Sequence, residues 1–103
     1  MTICQIVENP QMSEELFDRV SAHVRSTGPI LPEGGRLLIG GPAGAGYRVI
    51  TVWDSREARD RFVAERLRPA YEEAGLSLDD ATLTEFEVST LVAGDLTGTP
   101  APA

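Results

Sequence analysis

The sequence contains one side chain that exchanges its proton near neutral pH, the single histidine His23. A neutral imidazole is the simplest general base that a small protein can use. His23 falls at the edge of the apolar stripe of a predicted helix, next in projection to Met12 and Leu16. We predict that His23 is a catalytic base. The alternative is a half-buried histidine that is hydrogen-bonded at the helix end.

Arg66 is the second candidate for a catalytic role. Arg59 and Arg66 are separated by two helical turns and project into the arc that holds Phe62. A cation in this arc can stabilise an enolate or a carboxylate in a cleft between helix and sheet. It can also extend its apolar stem along the surface and keep its charge in water. We predict the catalytic role for Arg66 and the outward orientation for Arg59.

Tyr47 and Trp53 lie at positions of one predicted strand that share a sheet face. Their rings could stack on a planar substrate, and we predict that both are substrate-binding residues. The alternative is that they belong to the hydrophobic core, where a tryptophan at a strand end is often found.

The charge composition excludes several classes of partner and chemistry. The net charge is −7, and the nine cationic residues are all arginine. An acidic chain repels polyanions, so we expect neither nucleic acid nor an anionic membrane as a partner. Without lysine, the chain has no residue for a Schiff base, for covalent pyridoxal phosphate or for a phosphate-loop cation.

The content of cysteine and histidine argues against a metal site. Cys4 and His23 are the only residues of their types, and a zinc site needs three or four closely spaced ligands. We therefore expect no metal and no cofactor, and Cys4 is predicted to be a small buried apolar residue. No apolar run reaches the ~20 residues of a membrane span, and no signal-like segment precedes Glu8. The chain is therefore predicted to be cytoplasmic.

These candidate residues are positioned by a predicted β-α-β-β-α-β series. Ser13 and the acidic residues after it are typical of a helix start, and Gly28 ends that helix. A second helix is predicted to begin at a capping box over residues 54–57 and to run toward Gly75, with Pro69 ending or kinking it. Strands are predicted over residues 2–7, 36–40, 47–53 and 82–92. Residues 1–93 form the predicted domain, and 94–103 are predicted to be a disordered tail.

This order predicts an α+β fold in which two helices cover one face of a four-stranded antiparallel sheet. The strand over residues 47–53 has apolar groups on both faces. The second face therefore needs a cover, and the sheet of a second copy is the simplest one. A domain of this size gains much from such a partner, so we expect a homodimer.

The stretch from Gly46 to Ala58, GYRVITVWDSREA, and its continuation from Phe62 to Ala70, FVAERLRPA, resemble the dimeric α/β-barrel superfamily. Within it they are most similar to the antibiotic-biosynthesis-monooxygenase-like proteins. The resemblance covers most of residues 2–92 and implies ferredoxin-like subunits that pair their sheets. Many relatives carry a histidine base where this chain has Phe62, so we assign Phe62 to substrate binding instead.

The resemblance and the candidate residues together favour an enzyme that acts on an aromatic or polyketide-like small molecule. Cofactor-independent oxygenation and cyclisation through an enolate are both compatible with the residues. The first alternative is a non-catalytic dimer that binds such a ligand, and the second is a structural dimer with a filled core. A pocket between sheet and helices would favour the first two hypotheses, and its polar lining would separate them.

Overall fold

The computed structural model of the protein describes residues 1–94. The strands are β1 (Ile3–Asn9), β2 (Gly35–Ala43), β3 (Gly46–Trp53) and β4 (Thr82–Glu87). The helices are α1 (Glu14–Ser26), α2 (Arg56–Phe62), a π-helical turn (Val63–Leu67), α3 (Arg68–Glu73) and a short 3-10 helix (Leu78–Asp80). The predicted β-α-β-β-α-β order is confirmed. The tail predicted for residues 94–103 lies outside the described residues from residue 95 onward.

The strands form one sheet in the order β2-β3-β1-β4, and every neighbouring pair is antiparallel. Because side chains alternate along a strand, the pairing register sorts them onto two faces. The helix-facing face presents Ile3, Gln5, Val7, Val49, Thr51 and Trp53. The outer face presents Cys4, Ile6, Leu37, Ile39, Ile50, Val52 and Phe86. The core lies between the helix-facing face and the helices.

Helix α1 begins as the sequence predicts. The Ser13 side chain accepts a hydrogen bond from the backbone N–H of Leu16 at 3.2 Å, which satisfies one of the free donors of the first turn. Val20 and Val24 lie one helical turn apart and are almost fully buried in the core. Burial of a valine side chain stabilises the fold by about 1.5–3 kcal/mol, so these residues hold α1 against the sheet.

Strand β2 is longer than the sequence predicts. It was expected over residues 36–40, but it continues through Pro42, which pairs with Tyr47. Proline is compatible with β2 because this is an edge strand, where no ladder donor is lost. The chain reverses at Gly44, whose φ of +60° favours glycine.

The second helical region differs from the prediction at its N-cap and at Pro69, and it ends at Glu73, as predicted for a helix that runs toward Gly75. Its N-cap is Ser55, whose side chain accepts from the Ala58 N–H at 3.1 Å, while the predicted cap residue Asp54 pairs with Arg36 at 2.5 Å. Pro69 does not end the helix, which continues through α3 to Glu73. A π-helical turn lies just before Pro69. Its wider backbone leaves room for the proline ring and tolerates the missing N–H donor.

Strand β4 is shorter than predicted and ends at Glu87, although the Val88 N–H still donates to the Thr2 carbonyl at 2.9 Å. Its place at the sheet edge leaves Leu83 and Phe86 more than half exposed. Within residues 1–94, no helix combines the length and apolar character that a membrane crossing requires.

Candidate functional site

A cavity of about 290 Å³ lies between the helix-facing face of the sheet and the helices. Its floor is formed by β1 and β3, and its walls by α1, α2, the π-helical turn and the start of β4. Most of the lining is apolar. The lining includes Gln5, Val49, Thr51, Trp53, Arg59, Phe62 and Tyr71. An apolar cavity with a few convergent polar groups is the usual form of a small-molecule site.

Trp53 and Phe62 form an aromatic corner of the cavity. Their ring centroids are 5.4 Å apart with an interplanar angle of 40°, a geometry that aromatic pairs favour. The Trp53 indole N–H donates to the Thr51 hydroxyl at 2.9 Å, which fixes the orientation of the indole ring. The cavity therefore has a rigid aromatic surface against which a planar ligand can lie.

Tyr47 is placed differently from Trp53, although both are on β3. Its ring stacks on Phe17 with centroids 4.8 Å apart, and the residue is buried in the core. It does not belong to the cavity lining. Of the three predicted substrate-binding residues, the structure thus brings Trp53 and Phe62 together at the cavity, and Tyr47 lies beside it.

A row of polar side chains crosses the helix-facing face of the sheet, and two of them, Gln5 and Thr51, line the cavity. Gln5 on β1 pairs with Thr51 on β3 and with Glu85 on β4, so the three side chains lie side by side on the helix-facing face. The Oε1 atom of Gln5 is buried and has no hydrogen-bond partner among residues 1–94. The residues on either side of Gln5 on this face, Ile3 and Val7, are apolar.

Arg59 closes one end of this polar row. Its side chain is only 13% exposed and pairs with Glu85, which is 23% exposed, and with Asp60 at 3.0 Å. Arg56 also pairs with Glu85, at 2.7 Å. Hydrogen bonds from Arg59 and then Arg56 lower the pKa of the Glu85 carboxyl. At neutral pH the cavity edge therefore holds a nearly buried cation whose carboxylate partner stays ionised.

Tyr71 on α3 contributes a buried phenol to the opposite wall. Burial raises the pKa of this phenol above its usual range, because the phenolate would lose its hydration. Tyr71 therefore keeps its proton at neutral pH and acts as a hydrogen-bond donor.

His23 lies on α1 outside the cavity lining. Its imidazole Nδ1 pairs with the Glu73 carboxylate, and its side chain is 30% exposed. This contact joins α1 to α3. The cavity lining does not include His23, so the predicted base and the predicted aromatic residues are not neighbours.

Arg66 is also outside the cavity lining. Its guanidinium donates to the carbonyls of Val24 at 2.8 Å and Pro29 at 2.6 Å, and to the Thr27 hydroxyl at 3.0 Å. It lies 5.3 Å from the centroid of the Phe62 ring. These contacts cap the C-terminal end of α1 and place the guanidinium against Phe62 of the cavity wall. The catalytic roles of His23 and Arg66 stay predictions.

The structure adds Gln5, Thr51, Arg59 and Tyr71 to the candidate site, none of which the sequence analysis selected. Gln5 did leave a signal, since it is a lone polar residue between Ile3 and Val7 on one strand face. Arg59 was expected to extend outward, and its burial depends on Glu85, which is distant in sequence. Among residues 1–94 no group of histidine, cysteine and carboxylate side chains could hold a metal ion.

No protein-family model matches the chain, and no curated protein matches it significantly. Solved structures do resemble it. A dimeric ferredoxin-like protein of unknown function from Jannaschia sp. CCS1 is 19% identical, with a TM-score of 0.57 over 85% of this chain and 100% of that one. SnoaB, a cofactor-independent oxygenase from Streptomyces nogalater solved as a point mutant, is 16% identical, with a TM-score of 0.56 over 90% and 97%.

A third structure, assigned as an antibiotic biosynthesis monooxygenase from Deinococcus radiodurans, is 18% identical, with a TM-score of 0.55 over 95% of this chain and 100% of that chain. These likenesses confirm the predicted ferredoxin-like fold over nearly the whole length of the compared chains. The resemblance noted in the sequence is thereby confirmed at the level of fold.

Proposed function

We propose that the protein is a small-molecule enzyme that oxygenates an aromatic or polyketide-like substrate without a cofactor, in the cavity between sheet and helices. The proposal depends on one observation, the apolar cavity of about 290 Å³ with an aromatic corner and a single polar row. The fold that the chain shares with a cofactor-independent oxygenase supports the same reaction class.

The size of the cavity supports a substrate with more than one ring. An apolar cavity of about 150 Å³ is sufficient for benzene, and this cavity is about 290 Å³. The aromatic corner of Trp53 and Phe62 suits fused rings better than a flexible chain, because a rigid ligand loses less conformational freedom on binding.

The proposed chemistry needs no oxidant other than dioxygen. An acidic CH₂ group beside an aromatic ring loses a proton to the Asp60 carboxylate of the cavity lining. The carbanion adds O₂, and return of this proton gives a hydroperoxide. Loss of water from the hydroperoxide leaves a ketone, so CH₂ and O₂ become C=O and H₂O. Arg59, at 13% exposure, stabilises the anion, and the apolar lining excludes water. Cyclisation would begin from the same anion.

A non-catalytic ligand-binding protein is the second candidate function. The observation that favours it is the location of His23, which pairs with Glu73 outside the cavity. Within the part of the chain that the structure describes, the carboxylate in the cavity lining, Asp60, is paired with Arg59. A binding protein would use the cavity in the same way but would not accelerate proton removal.

Oxygen uptake separates the two functions. We expect the purified protein to speed the oxidation of anthrone, whose central CH₂ is acidic, at least about tenfold over the rate without protein, a modest rate enhancement for an enzyme. One O₂ should be consumed per ketone formed, and a chelator should not change the rate. If anthrone binds and oxygen uptake stays at the rate without protein, the binding function replaces the enzymatic one.

We also propose that the protein is a homodimer that pairs the outer faces of two sheets and resides in the cytoplasm. Ile39 and Phe86 are each 52% exposed on this apolar outer face, and large exposed apolar patches usually mark interfaces. The Jannaschia protein with the same fold is dimeric.

Replacing Ile39 with arginine should therefore give a monomer, since a buried unpaired charge costs several kcal/mol at an interface. Native mass spectrometry or light scattering would show the change. Leu83→Arg is the matched control, because Leu83 is 56% exposed but lies on the helix-facing side of the sheet. A wild-type monomer, or a dimer that survives Ile39→Arg, would contradict the outer-face interface.

A further inference from the structure

We infer that Gln5 determines which ligands the cavity accepts, by selecting arenes that carry a hydrogen-bond donor, above all a phenolic hydroxyl. This inference rests on the proposed use of the cavity for an aromatic ligand and names the polar group that such a ligand needs. It depends on the buried, unpartnered Oε1 of Gln5 and on the position of Gln5 in the cavity lining.

An unpartnered buried acceptor is rare in folded proteins, because most buried polar groups find a partner. On the helix-facing face of the sheet, Gln5 lies between Thr51 and Glu85. A leucine or methionine at this position would fill the same space without an unsatisfied oxygen. The described residues contain one other side-chain atom of this kind, Nδ2 of Asn9, and Asn9 is not part of the cavity lining.

The neighbour of Gln5 on β3 makes a hydroxyl the best match. Thr51 accepts the Trp53 indole N–H at 2.9 Å, and its hydroxyl retains one proton that it can donate. Because Oε1 is buried in the cavity wall, the Gln5 amide has to turn toward the cavity on binding. A ligand hydroxyl can then donate to Gln5 Oε1 and accept from Thr51 at the same time. A methyl ether on the same ring can only accept, and it leaves the Gln5 oxygen without a partner.

Two probes that differ only in this donor test the inference. We expect 2-naphthol to bind the wild-type protein about tenfold more tightly than 2-methoxynaphthalene in calorimetry, as for one net hydrogen bond. In Gln5→Leu the two probes should bind equally. Gln11→Leu is the matched control, since Gln11 is exposed outside the cavity, and it should keep the tenfold preference.

Equal affinities of the two probes in the wild-type protein, or tighter binding of the ether, would overturn the inference, whether or not oxygen is consumed. A preference that persists in Gln5→Leu would assign the selection to another residue and would also overturn it. The proposed oxygenation is tested separately. If the hydroxyl preference is present but oxygen uptake with anthrone is not accelerated, the oxygenation is contradicted and the inference on Gln5 stands. The wild-type comparison does not depend on the folding of any variant.

Discussion

Val49→Trp should weaken ligand binding nearly a hundredfold and lower the oxygen uptake that depends on it. Val49 lies on β3 beside Val7, and its side chain lines the cavity. An indole at this position would occupy space that the ligand needs. Displacement of about 100 Å² of apolar ligand surface costs roughly 2.5 kcal/mol at about 25 cal/mol per Å². Affinity for 2-naphthol should therefore fall nearly a hundredfold.

The same substitution should leave the fold intact, because the added ring fills space that is empty in the free protein. Thermal unfolding should show a midpoint at or above that of the wild type, since filling a cavity reverses the cost of creating one. Val92→Trp is the matched control, since Val92 is 88% exposed. A Val49→Trp protein that folds and still binds 2-naphthol at wild-type affinity would place the ligand site elsewhere on the molecule.

The fold could be predicted from the sequence because its signals are local. Alternating apolar residues, the Ser13 cap and the glycines of the hairpin act over a few positions, and each agreed with the strand and helix order. The errors also have local causes. Pro42 could remain in β2 only because β2 is an edge strand, and Pro69 could remain in a helix only because a π-helical turn precedes it. Neither the position of β2 in the sheet nor the π-helical turn can be deduced from the local sequence.

The site was harder to predict because it depends on contacts between residues that are distant in sequence. A helical projection places Arg59 and Arg66 in one arc, but it does not show which acceptors each arginine meets. Arg59 meets Glu85 of β4, whereas Arg66 meets the end of α1. Arg66 is also part of the π-helical turn, which changes the angle at which its side chain leaves the helix. The aromatic corner was predictable in part, since Trp53 and Phe62 had both been selected.

Arg66→Ala should lower the free energy of unfolding by about 2–3 kcal/mol, the second large effect that we expect. The guanidinium donates to the carbonyls of Val24 and Pro29. A hydrogen bond to a charged group contributes about 1.5–3 kcal/mol to stability, and water recovers part of this when the side chain is removed. The positive charge of Arg66 also interacts favourably with the negative, C-terminal end of the α1 dipole. Its loss should therefore loosen the end of α1 and the Phe62 ring beneath it.

Urea denaturation followed by circular dichroism would measure this change. Arg66→Lys should recover only a small part of the loss, because an ammonium cannot reproduce the planar fork that spans two carbonyls and a hydroxyl. Arg61→Ala is the matched control, since Arg61 is exposed on the same helical region, and it should change stability by less than about 0.5 kcal/mol. Equal losses in Arg66→Ala and Arg61→Ala would contradict a specific role at the end of α1. A stable Arg66→Lys protein with a reduced rate of oxygen uptake would instead support the catalytic role predicted from the sequence.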